Sequence, residues 1–409
     1  MSSKIWLSHG LRHVSPYYKK TQVFVKGRWV GRTVLDVLVK EFRSFDMEYY
    51  TKAIQKGRFK LIRKSDPVLK LDPLKSVIKS GDILETVIHR HEPPVKAWPI
   101  MHTSIKDNIE GIPIVFEDDQ LLVVDKPCGI PVHPTGGYHL NSLTEVIKHG
   151  REDQIKLYPC HRLDKVTSGI TIMAKNNLFA NTIQTKIQSH EMQKLYLARV
   201  EGKFPNSSEP YDLTSWKETD EYVVKCSTSI FTVQTKKQFP NGLGASKRAE
   251  TWFYPGWYDS VTNESIVICK PLTGRTHQIR IHLLKMGFPI INDTLYCPTV
   301  TKYPLYVDFF QQYDEWENST KSKDYLNDQF NKLIEEATTV RESRLANIKD
   351  GSTCVECELP IMRNPEDISD LTLDLHAWKY YHLNVSPSSE DSSNTYSCFQ
   401  TDIPVWAGY

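Results

Sequence analysis

The 409 residues carry 51 Lys and Arg against 49 Asp and Glu, a net charge of +2, which excludes a uniformly basic coat for polyanions. No apolar run reaches the roughly 20 residues of a membrane span and no signal peptide is evident, so neither a membrane protein nor a secreted one is expected. Eight cysteines without a disulfide framework suit a reducing compartment, and 40% hydrophobic residues with nine Trp suffice for the cores of two or three domains.

Along the chain, charge is unevenly placed. Residues 1–35 contain no acid but carry Lys4, Arg12, Lys19, Lys20, Lys26, Arg28 and Arg32. Residues 51–64 are again acid-free, with Lys52, Lys56, Arg58, Lys60, Arg63 and Lys64. Such patches can hold phosphates even in a near-neutral protein, although a solvated charged face is the plainer reading. Val34, Leu35, Leu38 and Phe42 have helical spacing, and residues 47–56 predict a second helix stopped by Gly57. Phe59–Ile62 and residues 83–88 read as strands. His89-Arg90-His91 reads as a turn rather than a metal site, and residues 92–99, with Pro93, Pro94 and Pro99, as an extended linker.

Beyond the linker, the apolar strand from Leu121 is stopped by Lys126-Pro127, and Gly129, Pro131 and Pro134 stiffen the loop that follows. Ser142 and Glu145 have capping-box spacing ahead of a short helix that ends at Gly150. His161-Arg162-Leu163-Asp164 then leads through Thr167-Ser168-Gly169 into the apolar run from Ile170 to Ala174. Asp164 therefore sits on a short loop at a sheet edge, where a rigid scaffold aims it into a cleft. An Asp capping a turn beside a surface Arg is the bland alternative. The planar fork of Arg162 suits phosphate or a carboxylate. Residues 177–190 predict a helix. Tyr196 lies on a strand, on one face with Ala198 and Val200 and opposite Leu195 and Leu197.

Residues 204–246 read as irregular, 248–254 and 265–269 as strands. A Gly turn then leads into a helix from about Thr276 to Gly287, placing Arg275 at a helix N-terminus that favours anions. Residues 323–345 read as a charged helix added on the surface, 371–380 as an apolar, aromatic stretch packed on the core, and 386–395 as a Ser-rich loop. Cys354 and Cys357 form a single CxxC without a second pair, which does not make a zinc signature.

Four segments in order, KPCGIPVHP from Lys126, HRLDKVTSG from His161, KLYLARVEG from Lys194 and CKPLTGRTHQIRIHL from Cys269, resemble the RluA-type pseudouridine synthases. The resemblance implies an α+β fold with a mixed or antiparallel sheet, uridine isomerisation without cofactor or metal, and Asp164 as the catalytic residue. It implies that Arg275 pairs with that carboxylate, holding it ionised and oriented, that Tyr196 offers an aromatic face, and that Arg162 takes the vacated stack or a phosphate. Ile279 joins the pocket wall or simply packs in the core. The helix–sheet pattern of residues 1–91 is similar to the S4-like RNA-binding domain of that family, giving expected domains of 1–91, a linker at 92–99, and a catalytic domain at 100–409.

HRHEPPV from His89 and LHAWKY from Leu375 are similar to the eukaryotic tRNA branch. That implies a monomeric enzyme acting on the anticodon stem–loop of tRNA, at position 31 first and 32 as the alternative, mainly in the cytoplasm with a mitochondrial share. A non-catalytic RNA-binding protein that kept the fold is the competing class. The deaminase appended in some members needs an HxE and a PCxxC, and Cys354-Val355-Glu356-Cys357 lacks that context.

Overall fold

The computed structural model describes residues 4–42, 46–63, 72–98, 108–235, 237–317, 323–346, 354, 368–382 and 398–408. They fall into two compact units: a smaller one of residues 14–92 together with Cys354, and a larger one that takes residues 6–13 and nearly everything after Pro93.

In the smaller unit, Ile83–Arg90 is the central strand of an antiparallel sheet flanked by Tyr17–Phe24 and Phe59–Ile62. The helix Val34–Val37 is capped by the Thr33 side chain, and Met47–Gln55 by that of Asp46, each accepting the backbone N–H three residues on. Trp29, Val34, Val37, Tyr50, Ile54 and Leu84 close the core. His89 and Arg90 belong to the central strand, not to a turn. Several of the basic residues meet acids brought in from elsewhere: Lys20 pairs with Glu85, Arg32 with Asp36 and Glu41, and Arg63 with Asp82.

The larger unit is built on an 11-stranded sheet. Across its centre run Glu264–Pro271, Met192–Glu201, Leu375–His382, Ser168–Ala174 and Leu121–Lys126. All of these pair antiparallel except Ser168–Ala174 with Leu375–His382, which run parallel, so the sheet is mixed and the fold α+β as expected. Val95–Lys96 pairs with Leu11–Arg12, tying the expected linker into a small sheet. One face of the main sheet buries Tyr196, Ala198 and Val200 with Ile279 and Leu283 of the helix Gln278–Lys285. The opposite face buries Leu195 and Leu197 with Ile266, Ile268 and Trp378, which is the period-two alternation read from the sequence.

Three local expectations are corrected. Ser142 does not cap its helix, because its hydroxyl donates to the His139 carbonyl instead. The stretch from Phe204 contains a regular strand, Val224–Ile230, whose partly exposed edge position blurs its pattern. The helix Lys323–Ala346 is not a loose addition: Phe330 and Leu333 are fully buried among Phe309, Phe310 and Tyr313 of the helix Pro304–Glu317. The Ser-rich stretch 386–395 and Cys357 lie outside the described residues. No described helix is long and apolar enough to cross a membrane.

Candidate active site

Asp164 opens on a cavity of about 730 Å³ in the larger unit. Its loop is held from behind by Lys126, a fully buried residue whose ammonium donates to the carbonyls of Pro127, Ile130 and Lys165 at 2.9, 2.9 and 3.2 Å. Burial draws the Lys126 pKa down to about 7, while the three carbonyls take all three ammonium hydrogens. One buried cation therefore fixes both the proline-rich loop and the residue after Asp164. Downstream, Ser168 hydrogen-bonds His376 at 2.9 Å. Gly169 sits at φ +107, where an added Cβ would come within 2.3 Å of the Ala377 carbonyl. Only glycine lets the aspartate strand cross so close to its parallel neighbour.

The cation beside Asp164 is Arg280, not Arg275. Arg280 Nη1 lies 3.5 Å from Asp164 Oδ2. The same guanidinium grips Asp293 by two bonds of 2.7 Å and stacks over the Tyr296 ring at 4.9 Å. Arg275 instead donates to the Arg248 carbonyl and makes no ion pair with Asp164. The reason is where the helix starts. His277 adopts a left-handed backbone at φ 55, and Gln278, not Thr276, is the first helical residue. The Gln278 side-chain oxygen accepts the Arg275 N–H at 3.0 Å and the Thr273 hydroxyl at 2.7 Å, closing the turn. Arg275 is left on that turn at the cavity wall, and Arg280, in the first helical turn, faces the carboxylate. His277 Nε2 is 3.8 Å from Asp164, but burial and then Arg280 hold its pKa at about 4, so it is a neutral neighbour rather than an ion-pair partner.

Tyr196 lines the cavity at a bulge, since the register with Leu375–His382 shifts between Leu195 and Tyr196. Behind it runs a polar chain. His161 Nε2 accepts the Ile172 N–H at 3.1 Å. Burial lowers the His161 pKa to about 3, so the ring is neutral and Nδ1 carries the hydrogen. Nδ1 donates to the Tyr380 hydroxyl at 3.2 Å, and Tyr380 donates to the Tyr196 oxygen at 3.3 Å. The Tyr196 hydrogen is then not used by Tyr380, on a side chain that lines the cavity. Burial raises the Tyr196 pKa to about 12, keeping it a donor.

Arg162 is exposed at the cavity wall, with no ion pair among the described residues. Ile279 serves in both of its foreseen places, on the wall and in the core. Lys194 lines the cavity too, its pKa drawn to about 8 by burial. Sequence reasoning passed over Lys126, Lys194, His277, Arg280 and Tyr380. Four of these stood inside the quoted motifs, and Tyr380 ends the LHAWKY run, but motif letters do not say which side chain turns inward.

Among the described residues lining the cavity, Asp164 is the only carboxylate, beside Arg162, Lys165, Lys194, Arg275 and Arg280. That argues against a hydrolysis run by paired carboxylates. It favours a single acid acting on an anionic substrate, and the aromatic donor Tyr196 lines the same cavity as Asp164.

Residues 120–285 match the family described as RNA pseudouridylate synthase. A Saccharomyces cerevisiae tRNA pseudouridine(31) synthase is 43% identical, with the match covering 99% of this chain and 97% of the yeast protein. A mitochondrial tRNA pseudouridine(32) synthase from the same yeast is 30% identical, over 97% of this chain and 77% of its own. A Mus musculus pseudouridylate synthase is 38% identical over 70% of this chain, and that match spans about half of the mouse protein, 46%.

Proposed function

The chain belongs to the RNA pseudouridylate synthases, and from that premise we propose that it isomerises uridine to pseudouridine in tRNA, at position 31 of the anticodon stem–loop. The observation that carries the reading is Asp164, the lone carboxylate among the described residues lining a cationic cavity, set 3.5 Å from the buried Arg280. The reaction breaks the bond from ribose C1′ to N1, forms one to C5, moves the C5 proton off and leaves N1 protonated. It conserves every atom and is redox-neutral overall, so its chemistry calls for no redox cofactor. Asp164 acts as the nucleophile at the ribose or as the base that removes a ribose proton, and either role suits a carboxylate beside a cation.

A uridine stacked in a stem cannot reach Asp164 and must be flipped out, at a cost of a few kcal/mol. Tyr196 receives the flipped base, and Arg162 takes the vacated stack or a flanking phosphate. Position 31 is preferred over 32 because the (31) relative matches at higher identity and over more of its own length. The enzyme works as a monomer, mainly in the cytoplasm with a mitochondrial share, and the smaller unit acts as its S4-like RNA-binding module.

Pseudouridine mapping of tRNA from cells lacking the gene tests the reaction, the target position and the compartment at once. Loss at position 31 is expected, restored by the wild-type gene and not by Asp164→Ala. Loss at 32 with 31 intact rejects the target, and loss confined to mitochondrial tRNA overturns the compartment.

A further inference from the structure

In the smaller unit, far from Asp164 in sequence, three side chains of metal-ligating type converge. His89 Nδ1 lies 3.2 Å from His91 Nε2 and 3.5 Å from Cys354 Sγ, and the three residues each offer a ligand atom within 4.8 Å of the others. His89 and Cys354 are buried and His91 is half-buried. Two features of the chain bring them together. His91 comes two residues after His89, just past the end of the central strand, and the two rings meet edge-on with centroids 4.9 Å apart. Cys354 returns to that edge from 265 residues further on.

We propose that His89, His91 and Cys354 form a binding site for a zinc-class divalent ion. Both distances from His89 are those of neighbouring ligand atoms in a tetrahedral set. Zn–N bonds of about 2.0–2.1 Å and a Zn–S bond of about 2.3 Å place neighbouring ligand atoms roughly 3.3 Å apart for two nitrogens and 3.6 Å for nitrogen and sulfur. The observed 3.2 and 3.5 Å match both. The donor set is two imidazoles and a thiol, which favours zinc over the oxygen-seeking Mg²⁺ and Ca²⁺.

A hydrogen-bonded triad is the competing account, and it fits the contacts less well. In it, the single acceptor lone pair of His89 Nδ1 has to serve both His91 and the thiol. A metal satisfies all three atoms at once and leaves a fourth tetrahedral position to water. The ion would tie Cys354 to the end of the central strand Ile83–Arg90 across that 265-residue separation, so its role is structural. This revises the reading of His89-Arg90-His91 as a turn: neither the HxH nor the single CxxC is a signature alone, and only the fold joins them.

The test uses the full-length chain, stripped with chelator under reductant and titrated with Co²⁺. One equivalent should bind, giving the visible absorption of a tetrahedral site and a thiolate-to-cobalt charge-transfer band, both removed by stoichiometric Zn²⁺. Cys354→Ser should abolish the charge-transfer band. His91→Gln should weaken Co²⁺ and Zn²⁺ by more than about ten-fold, since even substitutions outside the ligand shell cost that much. Chelator should lower the melting temperature of the wild type but not that of His91→Gln. Absence of the band in folded wild-type protein overturns the proposal, even if Cys354→Ser does not fold. So does a band that persists in a folded Cys354→Ser.

Discussion

Arg280 touches Asp164 with one edge of its guanidinium while the other edge is locked, by two 2.7 Å bonds, to Asp293. Asp293 is almost fully buried, and its carboxylate also accepts the backbone N–H groups of Leu295 and Tyr296. The cation beside Asp164 is therefore rigid before any RNA arrives.

That arrangement separates two arginines that look alike in sequence. Arg280→Lys keeps a charge but loses the two-point grip, and is expected to cut kcat for tritium release from C5-labelled uridine by about a hundred-fold, roughly 2.7 kcal/mol. It also replaces the two-point bond to Asp293 with at best one, which should cost about 1–3 kcal/mol of stability. Arg275→Ala should raise KM for tRNA with little change in kcat. The two arginines have exchanged roles if the kcat loss follows Arg275 instead.

The hydroxyl chain from His161 to Tyr196 makes a graded prediction. Tyr196→Phe should lower kcat by about ten-fold or more, because the donor facing the cavity is gone while the ring remains. Tyr380→Phe should lower it by a smaller factor, through loss of the bond that aims Tyr196. Equal kcat for Tyr380→Phe and wild type would show that the chain does not orient the phenol.

Gly169→Ala should leave little folded protein, since the new methyl would meet the Ala377 carbonyl at a backbone angle that alanine avoids. Gly202 has a similar positive φ of +81 but nothing within 4 Å of an added Cβ. Gly202→Ala should cost only about 1–2 kcal/mol in a urea titration. Similar losses for both would mean that backbone angle alone, not the strand crossing, governs Gly169.

Acid should weaken the larger unit in a defined window. Burial, the largest cause in each case, lowers His161 and His376 from 6.5 to about 3, and His277 and His282 to about 4. On acidification through about pH 6.5 the unfolded chain takes up these protons and the folded chain does not. Stability therefore falls from about pH 6.5 toward pH 4, with no contribution from these rings above that window. The urea midpoint should drop between about pH 7.5 and pH 5.5, and an unchanged midpoint would remove the four histidines from the account.

RNA binding by the smaller unit should show in salt dependence. Lys56→Gln with Lys60→Gln, both exposed, is expected to weaken tRNA binding and shallow the salt slope by about 0.7–0.9 for each phosphate that is no longer neutralised. An unchanged slope points to a protein-interaction module instead.

Much of this was legible in the letters. HRLD before an apolar run placed Asp164 on a loop, and period-two alternation put Tyr196 on its face with Ala198 and Val200. The error over Arg275 came from helix phase. The Gly-Arg-Thr-His stretch carries helix-start signals, yet the left-handed His277 delays the first turn and hands the inward position to Arg280. Lys126 was invisible for a different reason: a lysine after an apolar strand reads as its solvent-facing end, and only the carbonyls that gather round it make burial tolerable. Lys20, Arg32 and Arg63 looked like a phosphate-binding patch until the fold supplied their acids.

The parallel pairing of the aspartate strand with Leu375–His382 has a consequence for biosynthesis. Ser168 waits for His376, which emerges from the ribosome 208 residues later, and that late strand is an interior one, bounded on both sides by earlier strands. The nascent chain thus carries Asp164 and Tyr196 with an open slot between them until Leu375–His382 has been made. Catalytic competence should arrive late, and a chain truncated before Leu375 would expose two unsatisfied strand edges, a template for aggregation rather than a partially active enzyme.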